Sequence, residues 1–257
     1  MRIAALLFLI PFLWQFNNDC SSSTYIGVCD TTNANICILS GKAARAATLL
    51  AQTSNYDSAV ALIKKAQSTH YKEYVISFGR DSTGNLINSS VSMGNINSGH
   101  IPAIHNRFAD VHIHTGEQPP SSGDLYGFID QIITTPHYIR YIVTPMGTAY
   151  ALILINKEEA LSFNTFYARR AGIKHLQPDG TSVSYQPTFP QQLVDEFNEL
   201  VSWSHTTRET ALVFLLKKYK TGIALLKQNA SGIYKTLDVI EKTDSKGHKI
   251  CVLDYCP

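Results

Sequence analysis

Residues Ala109 to Asp124 read ADVHIHTGEQPPSSGD. The first six alternate in polarity, so a strand over Ala109 to His114 sends Val111 and Ile113 to one face and Asp110, His112 and His114 to the other. The apolar face has a core to bury, and the polar face has a site to build. Two imidazoles two residues apart on one strand face stand about 6 to 7 Å apart, a gap both rings can bridge by leaning toward one metal ion. Thr115 to Pro120 turns the chain, and Ser121-Ser122-Gly123-Asp124 opens an apolar periodic run with the signature of a helix start. Asp124, in the first turn of that helix, is the natural third ligand. Taken singly, Ser121 to Asp124 is also an ordinary capped helix N-terminus, and H-x-H suits a solvated strand face. Their order along the chain is what points to a metal site.

Outward from this stretch, a chain of 257 residues is long enough for one large domain, or a domain with an extension, and a substantial core. With 22 basic against 20 acidic residues the net charge is +2, and no basic block with interleaved aromatics is present, so nucleic acid is not suggested as a partner. Met1-Arg2 and the apolar run Ile3 to Phe16 have the charge order of a signal peptide over residues 1–19 and are too short, with Pro11 inside, for a membrane span. Export to the periplasm, cell surface or exterior is the expectation, with a buried N-terminal element as the other reading. Cys20 follows at a distance where a lipid anchor is conceivable, though Asn18-Asp19 are not the small residues such a signal prefers. The five cysteines sit toward the chain ends, and export makes disulfides permissible. Cys29 to Cys37 and Cys251 to Cys256 are the local pairings to expect.

In chain order, a Ser/Thr/Asn-rich link over 21–40 precedes helices at Lys42 to Gln52 and Ser58 to Gln67, broken at Asn55 to Ser58, with Asp57 or Ser58 as cap. Leu49, Leu50, Val60, Leu62 and Ile63 are their candidate buried positions. Glu73 to Arg80, EYVISFGR, is β-rich, and Asp81 to Asn85 is a hairpin turn into a strand over Leu86 to Met93. The histidine strand follows a loop over Gly94 to Arg107. The helix from Ser122 to about Thr134 presents Leu125, Phe128, Ile129 and Ile132 on one face. Strands at Tyr138 to Val143 and Ala149 to Ile155 and a helix at Lys157 to Phe166 come next. Tyr167 to Pro190 reads as loop, with a turn at Pro178-Asp179-Gly180. Helices at Gln191 to Trp203 and Arg208 to Lys218 and a meander of Gly222 to Gln228, Ile233 to Glu241 and Lys249 to Tyr255 finish the chain, with breaks at Asn229 to Gly232 and Asp244 to Gly247. The organisation is therefore a leader (1–19), a link with helices (20–69), an α+β core (70–166) and a C-terminal helix pair with an antiparallel meander (167–257).

The order of a strand with Glu73, a hairpin, a strand with His112 and His114, a turn, a helix opening on Ser121 and Asp124, and further strands resembles the JAMM motif of MPN-type metallopeptidases. EYVISFGRDSTGNLI is similar to the RadC-like branch, and the likeness covers roughly Tyr71 to Phe166. The resemblance implies an MPN-like fold, a mixed sheet flanked by helices in three layers. It implies a zinc ion held by His112, His114 and Asp124, with Glu73 as catalytic base and Ser121 stabilising a tetrahedral intermediate. The function so implied is an exported zinc-dependent hydrolase of peptide, isopeptide or cell-wall amide bonds. Six residues separate His114 from Ser121 where the family has seven, and Thr115 stands where it has proline. The alternative is a non-catalytic domain of the same fold that binds a protein partner over a vestigial site. Independently of the resemblance, Asp110 shares the histidine face and is placed to orient an imidazole, and Glu73 can serve only if its strand neighbours the histidine strand.

Overall fold

The computed structural model describes residues 34–170, 174–176, 182–184, 189–203, 206–243, 245 and 249–256. The expected leader, Cys20, Cys29, the turn at Pro178-Asp179-Gly180 and most of the break at Asp244 to Gly247 lie outside the described residues. Two helices come first, α1 (Ala34–Ala51) and α2 (Ser54–His70). α1 begins inside the stretch read as a link. Ser40, the residue that made the segment look loop-like, is fully buried, and its Oγ accepts a 2.7 Å hydrogen bond from Thr236 Oγ1. Tertiary packing there overrides local propensity. The break also lies earlier than the sequence suggests. Thr53 is the cap, accepting from the Tyr56 N–H, which leaves Asp57 in the first turn of α2, where the helix dipole favours a carboxylate. Of the candidate buried positions, Leu50 and Ile63 are buried, Val60 packs against the core, and Leu49 and Leu62 are exposed.

The sheet starts with β1 (Tyr74–Arg80), β2 (Leu86–Asn88), β3 (Ser92–Met93) and β4 (Ala109–Ile113). The expected strand over Leu86 to Met93 is thus two short pieces, both antiparallel to β1. The hairpin turn forms as expected, with Asp81 Oδ1 accepting from the Thr83 and Asn85 N–H groups at 2.9 Å. After β4 come α3 (Ser122–Thr134), β5 (Ile139–Val143), β6 (Ala149–Leu154) and α4 (Lys157–Phe166), all within two residues of the sequence reading. Between Tyr167 and Pro190, read as loop, β7 (Lys174–Leu176) and β8 (Ser182–Ser184) pair as a separate two-stranded sheet. Segments this short carry too little periodicity to be distinguished from loop. The chain ends with α5 (Gln191–Trp203), α6 (Arg208–Lys218), β9 (Ile223–Gln228), β10 (Tyr234–Thr243) and β11 (Lys249–Tyr255).

The main sheet has nine strands in the order β11-β10-β9-β6-β5-β4-β1-β2, with β3 also on β1. Only β4 and β5 are parallel, which is what a crossover through α3 requires; the other pairs are antiparallel. The C-terminal strands extend the sheet through β9 beside β6. Strand alternation then builds two cores. Ala109, Val111, Ile113, Tyr141 and Val143 face α1 and α2, while Ile142, Tyr150, Leu152 and Leu225 face α3 to α6. The fold is therefore mixed α+β, with helices on both faces of a mixed sheet. Each fully buried large apolar side chain, Phe128 or Ile63 for example, contributes about 1.5 to 3 kcal/mol.

Cys37 and Cys256 form a disulfide across 219 residues, in place of the two local pairings. α1 packs against β10 and the Cys256 N–H donates to the Thr236 carbonyl, so the first described helix and the last described strand meet. Cys251 is disulfide-bonded as well. Sequence proximity says nothing about this juxtaposition, which the sheet order creates.

Candidate metal centre

The site lies at the carboxyl end of β4, where the chain leaves the sheet to enter α3. In parallel β-α-β units this edge is where ligands gather, because the loops there are free to carry side chains and the helix N-terminus points into them. Val111 and Ile113 are fully buried in the α1/α2 core, so the strand register sends Asp110 and His112 to the α3 face, and His114 follows just past the strand end. The two imidazole centroids are 5.1 Å apart. Ser121 caps α3 in a reciprocal box. Its Oγ accepts from the Asp124 N–H at 3.1 Å, while its own N–H and O–H donate to Asp124 Oδ2 at 2.7 and 2.8 Å. The capping reading and the ligand reading of Ser121 to Asp124 thus describe the same atoms. The cap is what fixes the carboxylate beneath the histidines.

Asp124 Oδ1 lies 3.0 Å from His112 Nε2, and Asp124 Oδ2 lies 3.1 Å from His114 Nε2. All three side chains are buried. One ligand atom from each falls within 4.8 Å of the others, so the side chains would have to draw in toward an ion to reach the roughly 3.3 Å that neighbouring ligands of a tetrahedral zinc keep. The donor set tests the fit further. His114 Nδ1–H donates to the Gln118 carbonyl at 3.1 Å, which turns Nε2 toward Asp124, as the outer hydrogen bond of a metal-ligating histidine does. His112 Nε2 is buried and makes no hydrogen bond, since its approach to Oδ1 is close but not aligned. An orphaned nitrogen beside a carboxylate oxygen that the cap leaves free is what a divalent cation would satisfy. His112, His114 and Asp124 are therefore a group that could hold a metal ion.

Charge follows from this packing. Burial disfavours the charged forms of both His114 and Asp124, but their mutual contact outweighs it. The His114 imidazole is raised to about 9, and the Asp124 carboxyl is held well below the usual carboxylate range by the two histidines. Glu73 stands immediately before β1, and the pairing of Tyr74 with Ile113 places it beside His114. The strand adjacency that the sequence left open is thus met. Burial raises the Glu73 carboxyl to about 7, against the pull of His112, and the Asp124 charge pushes it further in the same direction. Glu73 lines two cavities. One, of about 400 Å³, is shared with His114, Ser121 and Ser122, and the other, of about 310 Å³, with His112 and Asp124. All five residues singled out in the sequence therefore meet in one place.

Asp110 does not orient an imidazole. Its carboxylate accepts from Arg140 Nε and Nη2, at 3.2 and 3.0 Å to its two oxygens, in a fully buried ion pair. Two charges this deep require each other, and an imidazole offers a weaker match than a guanidinium fork. Arg140 Nη1 also donates to the Asp124 carbonyl at 3.0 Å, tying β5 to the first turn of α3. Gly127 makes room for this side chain, because a Cβ there would lie 2.6 Å from Arg140 Nη1. Neither residue was singled out in the sequence. The available signal was a pair of opposite charges, Asp110 and Arg140, each near the start of an expected strand.

No family model and no curated protein matches the chain. The function must be argued from the site itself.

Proposed function

We propose that this protein is a zinc-dependent hydrolase of amide bonds in a peptide, isopeptide or cell-wall cross-link, built on an MPN-like fold and acting outside the cytoplasm. The observation that carries the reading is the buried His112 Nε2, 3.0 Å from Asp124 Oδ1 without an aligned hydrogen bond, with His114 in the same group and Glu73 lining the same cavities. The Cys37–Cys256 disulfide supports the extracytoplasmic part, since such bonds persist in oxidising compartments. Among the described residues no helix is long and apolar enough to cross a membrane.

His112, His114 and Asp124 would hold the ion. A zinc bound there supplies a Lewis acid that polarises a carbonyl and lowers the pKa of water toward about 7. Glu73, at the junction of the two cavities, is positioned to take a proton from water and return it to the leaving amine. Ser121 keeps Asp124 in place through its cap and borders the larger cavity; to donate to an oxyanion there it would have to redirect the hydroxyl proton it now gives to Asp124 Oδ2. The Asp110–Arg140 pair holds the helix carrying Asp124 at a fixed distance from the strand carrying the histidines.

A binding module that no longer cleaves is the second reading. It is favoured by the saturation of Asp124 Oδ2, which already takes two bonds from Ser121 and one from His114. The two readings separate on one experiment. Zinc-loaded protein is incubated with a mixed peptide and isopeptide library, and products are read by mass spectrometry beside Glu73→Gln. Cleavage by the wild type that falls by about 100-fold or more in the variant, as loss of a general base implies, supports the hydrolase. Cleavage unchanged in Glu73→Gln overturns the assigned role, and zinc binding without any cleavage favours the module.

A further inference from the structure

The larger cavity is not built from the metal-site elements alone. One wall is Glu73, His114, Gln118, Pro119, Pro120 and Ser121, and the opposite wall comes from the C-terminal segment as Phe189, Val194, Phe197 and Leu212, with Arg208. The far wall is apolar and belongs to α5, α6 and the residues just before α5, pieces that carry no metal-site chemistry of their own. Among the described residues Arg208 is the one permanent cation lining the cavity, and it is exposed. Its guanidinium enters no ion pair among the described residues, whereas Lys217, Lys218 and Lys227 of the same region are each matched with a carboxylate. At about 400 Å³ the space suits one or two amino-acid residues, within the range of small-molecule sites.

An apolar wall and an unmatched guanidinium, facing a carboxylate and a histidine across one cavity, define a ligand by complementarity. We infer that the C-terminal helices form the specificity pocket of this site, and that it takes a short peptide end with an apolar side chain and a free α-carboxylate. The side chain lies against Phe189, Val194, Phe197 and Leu212. The carboxylate pairs with Arg208, whose planar fork matches two oxygens at once. This gives the α5–α6 segment a function beyond extending the sheet, and it narrows the proposed hydrolase to substrates ending near the bond cleaved.

The inference rests on the hydrolase reading only for what happens after binding, so its test reads binding. N-acetyl-L-phenylalanine and N-acetyl-L-phenylalaninamide are titrated by isothermal calorimetry into the full-length protein, Arg208→Gln, and His112→Ala/His114→Ala. The expected result is that the free acid binds about two- to fivefold more tightly than the amide, the range an accessible ion pair supports. That preference vanishes in Arg208→Gln and persists in the double histidine variant. A preference lost with the histidines but kept in Arg208→Gln would place the carboxylate at the metal centre and overturn the assignment. Equal binding of acid and amide, or no binding of either, overturns it as well. Zinc content measured on the same samples reports on the metal reading separately, so either can fail while the other stands.

Discussion

His112 Nε2 and Asp124 Oδ1 stand 3.0 Å apart in a buried site without forming a hydrogen bond. Two polar atoms this close, both capable of binding a cation and neither otherwise satisfied, are held by forces outside the pair. β4 fixes the histidine through Val111 and Ile113 on its opposite face, and the Ser121 cap fixes the carboxylate. The site is therefore organised before any ion arrives, and changes that loosen either support should weaken it.

A third support is the Asp110–Arg140 pair, which ties β4 and β5 to the first turn of α3. Arg140→Met leaves Asp110 as an uncompensated buried charge and is expected to destabilise the protein by about 3 to 5 kcal/mol. Asp110→Leu/Arg140→Met together should recover much of that loss, because two well-packed apolar side chains need no partner. Urea unfolding of the three proteins checks both statements. Zinc affinity should stay reduced in the double variant, since the bond from Arg140 to the Asp124 carbonyl is gone in either case.

Gly127 tests the same support by size alone. A methyl group there meets a guanidinium that is tied down on both sides and cannot swing aside freely. Gly127→Ala, normally favourable in a helix, should instead cost about 1 to 3 kcal/mol in denaturant unfolding, the range for overpacking a filled core.

Stability of the metal-free protein should carry the signature of Glu73. A carboxyl whose folded pKa is raised, here to about 7 from an ordinary 4.5, contributes stability that is present below the unfolded value and is lost as pH rises through the folded one. Wild-type stability is therefore expected to fall relative to Glu73→Gln between about pH 4.5 and 7 and to run parallel to it above that window. Chemical unfolding at five or six pH values in chelator decides this; parallel curves across the window would contradict it.

The Cys37–Cys256 bond closes a loop of 219 residues and so restricts the unfolded chain strongly. Cys37→Ser/Cys256→Ser should lower stability by about 2 to 5 kcal/mol, and wild type treated with reductant should fall at least as far, because the bond at Cys251 is reduced too. Midpoints of thermal unfolding with and without reductant measure the difference.

Much of the site was legible in the sequence because its residues sit in periodic elements. The alternation of Val111 and Ile113 with His112 and His114, and the cap signature ahead of Leu125, specify which side chains share a face. Strand adjacency was not legible. That Glu73 would stand beside His114 depends on β1 pairing with β4 across a long loop, and nothing local encodes that partner. The same holds for Asp110, whose guanidinium partner lies 30 residues away, and for Cys37, whose partner lies at the far end of the chain. The start of α1 was obscured because Ser40 and Gly41 disfavour helix locally and are helical only where α1 packs on β10. The cavity wall from α5 and α6 was hidden for a similar reason. Val194, Phe197 and Leu212 read as ordinary positions of amphipathic helices, and only the tertiary structure brings them into one cavity with His114.

Zinc stoichiometry is the measurement to make first. Elemental analysis of untagged wild-type protein, reconstituted with zinc and freed of excess, should give about one equivalent per chain. His112→Ala/His114→Ala, folded by circular dichroism, should give none. Substoichiometric zinc in a folded wild type, or equal zinc in the two proteins, would contradict the metal centre at His112, His114 and Asp124.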